Sequence, residues 1–212
     1  MEREQATLSA CRACVLLLLL PFAAHAGASS TDSSTMYPYV RCDGFAGGVR
    51  GVALDRRPEG AAPWREVGFG DKLERVSVVE GYRVVYSYPR TLWFATLKAE
   101  RSDPAKYADD KRIVTENFTA IANGDDAALS SFSDSGFEGQ TLTKRVLRGR
   151  TLGITQILSD DDAVIVTIYF ANQAPENRAF QTHEEFLALR DDFVRGYIGC
   201  VTRRKAAPSL RR

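Results

Sequence analysis

The segment Lys72–Arg101, KLERVSVVEGYRVVYSYPRTLWFATLKAER, decides the fold. Tyr82, Val84, Tyr86 and Tyr88 alternate with Arg83, Val85 and Ser87, the period-two pattern of a strand that turns one face to a core. Pro89 marks a turn, and Leu92 to Arg101 continues as another strand, so the segment reads as an antiparallel meander of about three strands.

Downstream the period changes. Asp103 before Pro104 sets an N-cap ahead of a proline at the first helical position and opens PAKYADDKRIVTENFTAIANG. Tyr107, Val114, Phe118 and Ile121 recur at helical spacing and Gly124 is placed to end the element, which predicts a helix of about 20 residues packed on the sheet. Beyond the polar stretch DDAALSSFSDSG, read as a loop, the same order returns. Strands are expected over Gln140–Leu147, Thr151–Leu158 and Ala163–Asn172, with turns at Arg148–Arg150 and Ser159–Asp162. AVIVTIYF is apolar on both faces, as a central strand would be. After a loop containing Pro175, Phe186, Leu189, Phe193, Tyr197 and Cys200 share one face of a second helix. Thr182 and Glu185 have the spacing of a capping box, which puts His183 at the first helical position and in solvent. The expected class is α+β: an antiparallel sheet in two meanders with two long amphipathic helices packed on it.

Upstream, DGFAGGVRGVALDRRPEGAAPW is rich in Gly and Pro and leaves room for one short strand near Val49–Leu54 before a turn at Pro58–Pro63. The first 26 residues pair Arg3 and Arg12 with the apolar run ACVLLLLLPFAA and a small-x-small site at Ala24–Ala26, the pattern of a signal peptide. The run is too short to span a bilayer and Pro21 interrupts it. The protein is therefore expected to be exported, periplasmic or secreted. Residues 27–36 are small and polar and expected to be disordered, 37–202 form one α+β domain, and 203–212 are a basic tail. A domain of this size lies within the roughly 100 to 200 residues that commonly make one.

The succession of strands, helix, strands and helix, with AVIVTIYF and HEEFLALRDDFVRGYI closing it, resembles the PsbP-like α/β/α sandwich over Lys72 to Val201. That resemblance implies a compact domain that works by binding another macromolecule, and it carries no catalytic residues over.

Loss of the signal segment would take Cys11, Cys14 and His25 with it and leave Cys42, Cys200 and His183. An even pair of cysteines in an exported chain favours a disulfide between Cys42 and Cys200. One histidine and two oxidised cysteines cannot assemble a zinc site, and HEEFL has Leu187 where a metalloprotease helix needs its second histidine. Serines cluster at Ser130, Ser131, Ser133 and Ser135 without a G-x-S-x-G elbow. Acidic residues fall in local runs such as Asp160–Asp162, whose consecutive spacing suits a hairpin turn rather than a calcium loop. GFAGGVRG matches neither phosphate-binding pattern. No catalytic, metal or cofactor assignment follows.

A net charge of +1 argues against nucleic acid as the main partner. The tail cations Arg203, Arg204, Lys205, Arg211 and Arg212 offer weak contact with an anionic membrane surface. Tyr82, Arg83, Tyr86, Tyr88, Arg90 and Trp93 have the Tyr, Trp and Arg composition enriched at interfaces and form the candidate binding patch. The expected function is non-catalytic recognition of another envelope or secreted protein, with an inhibitor or immunity protein as one subtype. A carrier holding a small molecule or lipid between sheet and helices, and an envelope hydrolase using carboxylates, are the alternatives.

Overall fold

The computed structural model describes residues 35–89, 94–124, 127–146, 150–171 and 180–207. Its elements are α1 (Tyr37–Val40), β1 (Arg50–Arg56), β2 (Trp64–Phe69), β3 (Lys72–Ser77), β4 (Glu80–Ser87), β5 (Ala95–Arg101), α2 (Tyr107–Ala122), β6 (Ala127–Asp134), β7 (Phe137–Val146), β8 (Arg150–Ser159), β9 (Val164–Phe170) and α3 (His183–Ala206). Seven strands make one antiparallel sheet in the order β1-β4-β5-β9-β8-β7-β6, and β2 and β3 make a separate two-stranded one. The chain is α+β, and β9 lies at the centre of the sheet, as its apolar run predicts. The proposed signal peptide, residues 1–26, lies outside the described residues.

Packing follows the pleat. On β9, Val164, Val166, Ile168 and Phe170 face α3 and α1, while Ile165 joins Val67, Val76, Tyr107 and Val114 beneath α2 and the β2–β3 hairpin. The sheet is thus covered on both faces, by α1 and α3 on one and by α2 with the hairpin on part of the other. Phe193 of α3 is the hub of the first interface: its ring lies 5.0 Å from Phe45, 5.3 Å from Tyr86, 5.3 Å from Phe170 and 5.8 Å from Phe94. The Phe45, Tyr86 and Phe170 contacts are edge-on, an arrangement that adds roughly 0.5–1.5 kcal/mol per pair beyond the area buried.

The segment that leads into the sheet is fixed at several points. Cys42 and Cys200 are bonded, with Cα atoms 5.8 Å apart, which ties this segment to α3. Tyr86 donates its hydroxyl to the Cys42 carbonyl at 3.0 Å and Tyr197 donates to the Tyr39 carbonyl at 2.9 Å. Burial pushes both phenols well above their ordinary range, so they stay neutral donors. Met36 is fully buried in the same cluster, so order begins within the stretch 27–36 expected to lack it; residues 27–34 lie outside the described residues.

Four expectations need correction. β3 is not the first strand of the meander: it pairs with β2, and its buried content is confined to its end, where Val76 packs against α2 while Leu73 stands 66% exposed. The two-residue Gly70–Asp71 connection, with Gly70 at φ 65°, is a hairpin signal that composition obscured. DDAALSSFSDSG holds β6, which sits at the sheet edge, is exposed on both faces along most of its length and so carries no apolar alternation. The helix expected from Pro104 begins at Tyr107 and has 16 residues, since Asp103 accepts from the amide of Ala105 and closes a separate turn first. α3, with 24 residues, runs to Ala206, so Arg203, Arg204 and Lys205 form its last turn and not a tail, where cations complement the helix dipole.

Two outcomes follow from this packing. A Cβ built on Gly153 would stand 2.7 Å from the Phe186 ring, so Gly153→Ala should lower stability by about 1–3 kcal/mol in urea unfolding. Replacing Cys42 and Cys200 by Ser releases a loop closed across 158 positions and should cost about 4–5 kcal/mol on the chain-entropy account, read by the same denaturant midpoint.

Candidate functional site

The pleat divides the candidate patch. Tyr86 and Tyr88 are 0% and 8% exposed and belong to the core against α3, so their inclusion in a binding surface is corrected. Tyr82 is half-buried on the same side and donates its hydroxyl to Glu80 at 3.1 Å. Arg83 points to the opposite face, is exposed and pairs with Asp55. Alternation on a strand sends neighbouring residues to different faces, and a patch drawn along the chain ignores this. Arg90 and Trp93 lie outside the described residues.

The face that carries Arg83 is read across the strands. Register sets Asp55, Arg83, Lys98, Thr167, Gln156, Gln140 and Ser131 side by side, one from each strand from β1 to β6 in sheet order. The adjacent row is Ala53, Val85, Thr96, Tyr169, Ile154, Leu142 and Leu129. α2 covers one half of these rows: Gln156 donates to the Val114 carbonyl at 3.4 Å, and Leu142 and Ile154 pack on Phe118 and Ala122. On the other half, Arg83 and Lys98 are exposed, and Val85, Thr96, Thr167 and Tyr169 are half-buried.

This open half-face combines charge with one aromatic ring. Lys98 Nζ stands 5.8 Å over the Tyr169 ring, and among the described residues no carboxylate lies within ion-pair distance of it. At the hairpin end Arg65 Nε donates to Glu100 at 2.6 Å. Burial raises the Tyr169 phenol; the Arg65 cation pulls it down and the Glu100 charge pushes it further up. Asp55 and Arg83 are each more than half exposed, so their pair contributes on the order of 0.2–1 kcal/mol and either partner can exchange for an incoming group. A groove of about 360 Å³ runs between Asp55, Arg83, Lys98 and Glu100, and a cleft of about 660 Å³ lies beside it between Arg57, Glu59, Pro63 and Glu80.

Elsewhere the polar side chains are committed to holding elements together. The Asp160–Asp162 turn splits its carboxylates: Asp160 accepts from Tyr107 and Lys111 beside α2, while Asp162 meets Tyr39 and Lys205 beside α3. Burial would raise the Asp160 carboxyl, but the Lys111 ammonium and the Tyr107 hydroxyl outweigh it and hold it below its usual range. Asp110 is buried and accepts from both the amide and the hydroxyl of Ser77, joining α2 to β3. Among the described residues no three His, Cys, Asp or Glu side chains gather as metal ligands. Glu185 accepts from the amides of Gln181 and Thr182 and is the acidic half of the expected capping box. His183 does open α3, but it is half-buried with its ring stacked on Phe186 at 6.2 Å, which corrects its expected place in solvent. Of the tail cations, Lys205 pairs with Asp162 at 2.7 Å and Arg204 lies 5.6 Å over Tyr37; Arg211 and Arg212 are outside the described residues.

No protein-family model, curated protein or solved structure matches the chain.

Lys98, Thr167 and Tyr169 are the residues of this face that sequence reading passes over. Their signal is present: in AVIVTIYF the two polar positions share a parity, and Lys98 interrupts ATLKAER at the same parity as Arg83's partner row. Loss of the cap has a definite size. Thr182→Ala should lower the unfolding free energy by about 1 kcal/mol and fray the first turn of α3, read by denaturation and by amide exchange at Glu185.

Proposed function

We propose that this chain is an exported, non-catalytic protein that recognises another protein of the cell envelope, and that the open half of the sheet over β1, β4, β5 and β9 is the contact surface. The observation that carries this reading is the row Asp55–Arg83–Lys98–Thr167 beside Tyr169, left uncovered where α2 stops. A sheet face with an exposed arginine and a half-buried tyrosine has the residue types enriched at interfaces, and its lysine and weak, exchangeable ion pair suit a polar rim. Lys98 supplies a cation for a carboxylate on the partner, and the groove beside it receives a side chain.

The signal-peptide pattern and the Cys42–Cys200 bond support an oxidising compartment outside the cytoplasm. The arrangement also supports the PsbP-like reading: β1, β4 and β5 form one side of the sheet, β6 to β9 the other, and helices lie on both faces. An inhibitor or immunity protein is the subtype that fits a stapled binding domain of this kind.

The test is capture from envelope extract on immobilised protein, run beside Arg83→Glu and Lys98→Glu. Lys98 is exposed and without an ion-pair partner among the described residues, so Lys98→Glu should leave stability within about 0.5 kcal/mol of the parent, whereas Arg83→Glu loses the Asp55 pair, sets two carboxylates opposite each other and should lower it by about 1–2 kcal/mol. A specific protein should be retained by the parent and bound at least about tenfold more weakly by each variant. Equal retention by all three proteins removes the surface, and no retained protein across repeated captures removes the function.

A further inference from the structure

The two edges of the seven-stranded sheet are treated differently. β1 is irregular between Gly51 and Ala53 and carries Arg50, Asp55 and Arg56, two devices that keep an edge from pairing with another strand. β6 has neither. Its eight residues pair with β7 in unbroken register from Ala127↔Lys144 to Asp134↔Phe137, and its sequence, AALSSFSD, has no charge before the final aspartate and no proline. Among the described residues nothing pairs with its outer side, where alternate N–H and C=O groups point away from β7. Leu129 is 39% exposed on this strand.

We propose that β6 is a self-association edge, at which a second copy of this chain adds its own β6 antiparallel and extends the sheet across a two-fold axis. A two-fold normal to the sheet keeps each residue on its own face, so the strand pairs with itself about a residue and not between two. Centred on Ser131, the register sets Ser131 opposite Ser131 of the partner subunit, Leu129 opposite Ser133 of the partner subunit and Asp134 opposite Ala128 of the partner subunit. No like charges face each other. The two copies of Asp134 stand about 20 Å apart along the strand direction, beyond the roughly 8 Å over which charges act at physiological salt. A net charge of +1 per chain adds little repulsion to the approach. This edge is remote in sheet order from the face over β1, β4 and β5, so the inference stands apart from the proposed function.

The experiment is analytical ultracentrifugation of the disulfide-bonded protein from roughly 1 to 200 µM, the window in which small interfaces populate a dimer. It is run with Ser131→Lys and Ser131→Asp, since Ser131 is exposed and either charge would face its own copy. The parent should sediment as a concentration-dependent dimer whose β6 amides exchange more slowly as concentration rises. Each variant alone should associate about tenfold more weakly or less, and an equimolar mixture of the two should recover association. Unchanged thermal unfolding of the variants shows that the fold is retained. A parent that remains monomeric throughout, or variants that dimerise as well as the parent, overturn the proposal; protection of the β6 amides by an added extended peptide in a monomeric parent would assign the edge to a foreign strand instead.

Discussion

The ladder between β5 and β9, running from Ala95↔Phe170 to Arg101↔Val164, is the constraint on which the rest of the structure depends. Among the described residues it is the only place in the sheet order where strands made before α2 meet strands made after it. Its two faces do different things. Leu97, Ala99, Val166 and Ile168 are buried beneath α3, where each of the three larger side chains taken from water contributes roughly 1.5–3 kcal/mol. Lys98, Thr167 and Tyr169 stand on the other side, in the open half-face. One ladder therefore holds the core and positions the candidate contact surface, and a register slip of one residue would exchange the two.

The interior faces α3 through aromatic rings, which makes this interface rigid and directional. Phe193 contacts four rings contributed by the lead-in segment, β4, the β4–β5 connection and β9. Edge-on contacts, three of the four here, fix angles as well as distances, so the rings locate the middle of α3. The ends are held by polar means: Thr182 and Glu185 at the start, and Lys205 with Asp162 at the finish. The cysteine bond lies between them, near the point where Tyr197 holds the backbone of Tyr39.

What could be read from residues alone followed burial. β4, β5 and β7 to β9 are buried on at least one face, and their alternation or continuous apolar runs are visible in the chain. The stripe of α2 and the box that opens α3 are local patterns and were legible for that reason. β6 and the β2–β3 hairpin were hidden because exposed edges and short covering hairpins need few apolar residues; only their two-residue turns, at Gly70–Asp71 and Ser135–Gly136, betray them. The candidate face was hidden for a different reason. Asp55, Arg83, Lys98 and Thr167 are neighbours only through pairing across four strands, and no spacing along one strand reports them. The tyrosines that looked like a surface are the reverse case, since β4 alternates correctly but its aromatic side is the core.

The position of β9 also sets the order of events during synthesis. It is the central strand of the sheet and, among the described residues, the last strand in sequence. A chain that emerges N-terminus first presents β1, β4 and β5 with the inner edge of β5 unpaired until Val164–Phe170 arrives, and Cys42 waits for Cys200 after that. The order of emergence and the order of assembly are opposed: the centre comes last. Assembly governed by such distant contacts is slow compared with the folding of helical domains of this length.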